Sequence, residues 1–150
     1  MSTRLEKNIR RAKGLSYAGL IPFYGLAGLS WVAETGNWAL HALATYAAIV
    51  ITFLGAIHWG RALDKMADSN QYPTLLFGLM PALLGWFALL LPLELALPML
   101  AAGLMYVWGT EQMVFNETLP TWYRHLRHQL TAAAVIAVLI GWAATMFWML

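Results

Sequence analysis

Apolar residues gather into five uncharged runs, at about residues 15–32, 39–59, 73–91, 95–108 and 129–150, with the Asp, Glu, Lys and Arg residues confined to the gaps. A helix needs about 20 such residues to cross roughly 30 Å of hydrocarbon. The pattern therefore predicts an all-α membrane protein, a bundle of five transmembrane helices in one integral-membrane domain covering residues 1–150. The gaps are short. Residues 33–38 form one turn and residues 60–72 a loop, in which Arg61 and Asp64, and Lys65 and Asp68, stand three apart, as in a helical extension with solvated ion pairs. Pro92 and Leu93 make a tight hairpin, and residues 109–128 are the longest polar stretch.

Charge orients this arrangement. Of the nine Lys and Arg, Arg4, Lys7, Arg10, Arg11 and Lys13 precede the first run, Arg61 and Lys65 follow the second, and Arg124 and Arg127 lie between the fourth and fifth. All nine fall on one side if each run crosses. Basic residues are retained on the cytoplasmic or matrix face, so the N-terminus is expected inside and the C-terminus outside. A basic segment before an apolar run also suits a signal peptide, but this run is long and interrupted by Pro22. Of eight Trp, Trp31, Trp38 and Trp148 fall at the outer boundary and Trp59, Trp108 and Trp122 at the inner one, as in an aromatic belt.

Composition narrows the functions. The chain is 61% hydrophobic and 11% charged, whereas soluble domains are about a quarter charged. With no cysteine, disulfides, thiolate metal sites and thiol catalysis are excluded. The formal charge of +2 reflects topology and points to no nucleic-acid partner.

His58 shares a face of the second span with Ala44, Ala47, Ile51, Leu54 and Gly55 and is expected to point into the bundle. An ionisable group there marks either a functional site or a neutral imidazole bonded to a neighbouring helix. His41 lies about 25 Å away along the same helix, so the two cannot ligate one haem. No Asp, Glu, Lys or Arg falls within a run, Glu111 being placed beyond the inner boundary, which argues against ion-coupled transport. No metal site and no di-iron spacing are found.

Within the polar stretch, Pro120 suits the first turn of a short interfacial helix over about residues 119–128. Leu119, Trp122, Tyr123, Leu126 and Leu130 would form its apolar face and Arg124, Arg127 and His128 a cationic face for lipid head groups. A sharper alternative is an inner-leaflet pocket for a quinone, lipid or tetrapyrrole, rimmed by His58, Trp59, Trp108, Glu111, His125 and Arg127. In the fifth span Ala133, Ala137, Gly141 and Thr145, each four apart, form a small-residue ridge suited to helix packing or to docking a partner. Gly19-Leu20-Ile21-Pro22 matches Gly78-Leu79-Met80-Pro81, and Trp59-Gly60 matches Trp108-Gly109, which suggests a tandem helical-hairpin repeat.

Gly19-Leu20-Ile21-Pro22-Phe23, Phe53 through Gly60 with its His-Trp-Gly end, Pro81 with Trp86, and Pro120-Thr121-Trp122-Tyr123 with Leu126-Arg127 resemble a family of small five-span proteins of proteobacteria and mitochondria. That family includes transmembrane protein sixty-nine, and the resemblance covers nearly the whole chain. It implies an inner-membrane location, bacterial or mitochondrial, and no known activity. Glu111 stands where the resemblance implies an aspartate. The translocator-protein family shares only the architecture. The expectation is a multi-pass inner-membrane protein without enzymatic activity. It would serve as an accessory, assembly or scaffold element on a larger membrane complex, plausibly a respiratory one, with membrane lipids as its other partners. The alternative is a binder of a small hydrophobic ligand around His58.

Overall fold

A computed structural model describes residues 2–150, with side chains from Thr3 onward. The described residues form six α-helices and no strand: α1 (Ser2–Ala18), α2 (Leu20–Leu29), α3 (Gly36–Asp64), α4 (Tyr72–Leu89), α5 (Leu93–Met113) and α6 (Thr121–Met149). Four of them, α3 to α6, are long and apolar enough to cross a membrane. Only 28% to 44% of the most apolar stretch of each is buried, so most of that surface faces outward, as lipid contact requires.

The first apolar run is not one helix. It includes the end of α1 and all of α2, which meet at Gly19. Pro22 has no N–H to offer the Ala18 carbonyl, and the helix is interrupted there. The joint is fastened from outside: the Tyr46 hydroxyl on α3 donates to the Gly19 carbonyl at 2.8 Å. The matching Gly78 sits instead within the unbroken α4, so the two Gly-Leu-x-Pro segments occupy different settings.

Helix α3 is the hub, packed against α2, α4, α5 and α6. Ala39, Leu43, Ala47 and Ile51, one residue per turn, have no exposed surface. Small residues set the α3–α4 distance. A Cβ on Gly55 would stand 2.4 Å from the Gly78 carbonyl oxygen, and one on Gly78 would stand 2.8 Å from that of Gly55, so the two backbones touch. The Trp59 indole donates to the Leu75 carbonyl at 2.8 Å beside this crossing.

One expected feature of α6 is corrected and another is narrowed. Residues 119–128 do not form a separate interfacial helix; Pro120, in an extended conformation (ψ 144°), caps α6, which runs unbroken from Thr121. Its first turns carry Leu126, Arg127 and Thr131 on the same buried side as Ala134 and Val138, so packing continues the helix through the expected break. The small-residue ridge is also not free for a partner. Ala137, Gly141 and Thr145 are buried within the chain, and a Cβ on Gly141 would meet the Leu43 side chain at 2.4 Å. At Ala133 the carbonyl accepts a hydrogen bond from the Tyr24 hydroxyl at 2.9 Å.

The ends of the bundle are tied differently. At one end Trp148 Nε1 donates to the Ser30 carbonyl (2.9 Å) and Trp142 Nε1 to the Glu94 carbonyl (3.0 Å), gathering the turn after α2, the start of α5 and the end of α6. At the other, basic end the Arg61 guanidinium donates to the Thr118 carbonyl (2.8 Å), fastening α3 to the α5–α6 connection.

Candidate functional site

Three buried stripes end in polar groups at the basic end. On α3 the stripe Ile51, Leu54 and Gly55 reaches His58; on α5 the stripe Leu97, Leu100, Leu104 and Val107 reaches Glu111; on α6 the stripe Val138, Ala134 and Thr131 reaches Arg127. Their spacing of three or four keeps each polar residue on the core side of its helix. Glu111 thus belongs to α5, which continues past Trp108, and is fully buried.

The carboxylate of Glu111 engages both neighbours. Oε1 lies 3.0 Å from His58 Nε2 and Oε2 lies 2.8 Å from Arg127 Nε. A carboxylate only accepts, so His58 donates from Nε2 and, when neutral, leaves Nδ1 as an unprotonated acceptor. The imidazole forms a three-ring cluster with Phe77 and Phe115, its centroid 5.0 and 4.6 Å from theirs, which are 5.4 Å from each other. The cationic Arg127 and the anionic Glu111 offset one another. Arg127 is therefore no lipid-facing cation: its charge is bound to Glu111 and only 4% of its surface is exposed.

Beside the cluster is a groove of about 400 Å³, walled by α1, α2, α3 and α6 and lined mostly by apolar side chains such as Leu20, Phe23, Val50, Leu54 and Leu130. Exposed Leu15 and Phe53 stand at its edge. Its polar lining is Ser16, Tyr46, Tyr123, Arg127 and Thr131. Ser16 and Tyr46 are engaged, with the carbonyls of Ala12 and Gly19. The Tyr123 hydroxyl, Arg127 Nη2 and the Thr131 hydroxyl are buried and have no hydrogen-bond partner among the described residues. Buried polar atoms are nearly always paired, so three on one helix at one groove form a distinct feature.

The structure brings together only part of the expected rim. His58, Glu111 and Arg127 converge. Trp59 turns to α4, while Trp108 Nε1 donates to His128 Nδ1 at 2.9 Å, and the His128 ring faces that of exposed His125 at 6.3 Å. Trp108 and His125 thus belong to a separate aromatic cluster. Arg124 is bonded to the side chain of Asn116. The sequence reading missed Thr131 as a site residue and treated Tyr123 only as part of an apolar face. The signal was present in the i, i+4, i+8 row of Tyr123, Arg127 and Thr131.

Fold and site together define a multi-pass helical membrane protein with a buried ionic cluster flanked by an apolar groove. The chain belongs to the family described as protein of unknown function (DUF3429), whose profile matches residues 9–143. It is similar to transmembrane protein 69 of Xenopus tropicalis, at 30% identity over 133 residues, covering 83% of this chain and 50% of that protein. The chain thus spans about half the length of this curated relative. No solved structure matches it.

Proposed function

We propose that this protein is a non-enzymatic, membrane-embedded binder of a small hydrophobic molecule, held in the groove between α2, α3 and α6 with its polar head at Arg127. The observation that carries this reading is the row of unpartnered buried donors on an otherwise apolar wall. A ligand pocket of this kind is mostly apolar with a few placed polar groups. The alternative of acid–base chemistry by His58 and Glu111 is less well supported, because both carboxylate oxygens are already engaged. A scaffold role has lost its proposed surface, since the α6 ridge is used internally.

Val50→Trp places a large side chain in the groove and tests this. Native mass spectrometry of the gently extracted wild-type protein should show a reproducible bound lipophile. The variant should lose it while melting at a similar temperature. An equal load on both proteins would place the ligand elsewhere.

We also propose an inner-membrane location, bacterial or mitochondrial, and five crossings, the first made by the end of α1 together with α2, with the N-terminus inside. The uncharged joint and the one-sided distribution of Lys and Arg support it. The chain has no cysteine, so single-cysteine variants report cleanly. With intact cells or mitoplasts, Glu34→Cys should label with an impermeant maleimide, and Lys7→Cys and Asp68→Cys only after permeabilisation. Labelling of Lys7→Cys from outside would mean that α2 does not cross.

A further inference from the structure

The donor row specifies its ligand more narrowly than hydrophobicity alone. Tyr123, Arg127 and Thr131 follow one another at four-residue steps, about 6 Å of rise each. Arg127 and Thr131 are 4% and 3% exposed, so neither Nη2 nor the hydroxyl can turn to bulk water. Arginine has only donors, so whatever meets Nη2 must present an acceptor.

Charge decides the kind of acceptor. Arg127 is already neutralised by Glu111 at 2.8 Å, and no other charged side chain lines the groove. A phosphate or carboxylate would enter as an uncompensated anion in an apolar space, which is strongly disfavoured. A neutral carbonyl oxygen would satisfy the same donors without that cost. Shape narrows the choice again. Phe23, Tyr46, Phe53 and Trp122 line the groove, and aromatic side chains pack well against a flat ring in offset or edge-to-face arrangements. The para carbonyls of a benzoquinone are separated by a distance comparable with one step of the donor row.

We infer that the groove binds an isoprenoid quinone, its ring among these aromatics and its carbonyls on the Arg127–Thr131 donors. The tail leaves past Leu15 and Phe53 into the bilayer. This inference rests on the groove being a ligand site. It involves no electron transfer by the protein.

The test uses the full chain in nanodiscs of zwitterionic phosphatidylcholine, titrated with a decyl-substituted benzoquinone and followed by quenching of tryptophan fluorescence. Binding should saturate. It should weaken roughly three- to tenfold in Thr131→Val, the range expected for one lost hydrogen bond, and stay unchanged in Tyr123→Phe, one step beyond the bound carbonyls. Without quinone, Thr131→Val should melt no lower than wild type, because an unpaired buried hydroxyl is replaced by a methyl group. Lower affinity with undiminished stability separates a ligand contact from a packing role.

Undiminished quinone affinity in Thr131→Val, or a loss confined to Tyr123→Phe, would overturn the placement on the Arg127–Thr131 donors. Equal displacement of the quinone by phosphatidylglycerol would overturn the neutral-head argument, and equal displacement by diacylglycerol the flat-ring argument. Both displacements would leave the groove a ligand site. If none of the three lipophiles binds saturably while a native lipophile is still lost in Val50→Trp, the quinone assignment fails and the groove stands. If no native lipophile is found either, both fail.

Discussion

Glu111→Leu is expected to lower stability by about 3–5 kcal/mol, the cost of leaving a buried charge without its partner. The substitution keeps the volume roughly constant but strands the Arg127 guanidinium, 4% exposed, together with the His58 N–H. Neither group can reach water without disturbing α3 or α6. Replacing the ionic pair as a unit is a different experiment. Glu111→Leu combined with Arg127→Met removes both charges, and such apolar replacements of buried pairs are often neutral or stabilising. The double variant should therefore recover most of the loss, and a double-mutant cycle should return a large coupling energy. Denaturant unfolding in mixed micelles measures all four proteins. Strictly additive effects would show that Glu111 and Arg127 act independently and would remove the basis for treating them as a pair.

A second large effect is expected where α3 crosses α4. In Gly55→Val the new Cβ would lie 2.4 Å from the Gly78 carbonyl oxygen. That neighbour is backbone, so the helices must separate, and overpacking of this kind costs about 1–3 kcal/mol or more. The separation also pulls Leu75 from the Trp59 indole, so a shift in tryptophan emission should accompany the lower melting temperature. Gly60 gives an internal control on the same helix. A Cβ there meets nothing within 4 Å, and Gly60→Ala should be neutral or stabilising by up to about 1 kcal/mol from helix propensity. If both variants behave alike, close approach is not what holds α3 to α4.

The helical, membrane-spanning character was legible because it depends on composition over long windows, and the core position of His58 because one helix face carried its own small-residue pattern. Arg127 was harder to read. Near a helix start, with Arg124 and His128 beside it, it reads as a topology-setting cation or a rim residue of an inner pocket, but not as the partner of a buried carboxylate. Only the three-dimensional packing of α6 against α3 and α5 turns that position inward. The burial of Glu111, named from sequence as a rim residue, was hidden for a related reason: the apolar run around it stops at Trp108, whereas the helix continues to Met113. The α6 ridge was read correctly as a contact surface, but sequence spacing does not say whether the contact is internal. The break at Gly19 was foreshadowed by Pro22, although a proline within an apolar run often leaves a helix whole, as Pro81 does in α4.

The unequal lengths of the helices bear on how the surrounding bilayer acts on the site. Helices α3 and α6, each of 29 residues, are about 43 Å long, some 13 Å more than a typical hydrocarbon layer. Their far ends are level, since a Cβ on Gly36 would stand 3.4 Å from Trp148 Nε1. The excess therefore projects at the basic end, and His58 and Arg127 each lie about 9 Å from the tip of their helix. With the far ends at the outer edge of a hydrocarbon layer of ordinary thickness, as the proposed topology has them, the ionic cluster would sit level with the lipid glycerol groups, where water is close at hand. A thicker membrane would draw it into hydrocarbon, and a thinner one would leave the mouth of the groove in the head-group layer. Bilayer thickness, a property of the host membrane and not of the chain, would thereby set how deep the head group of the proposed ligand lies.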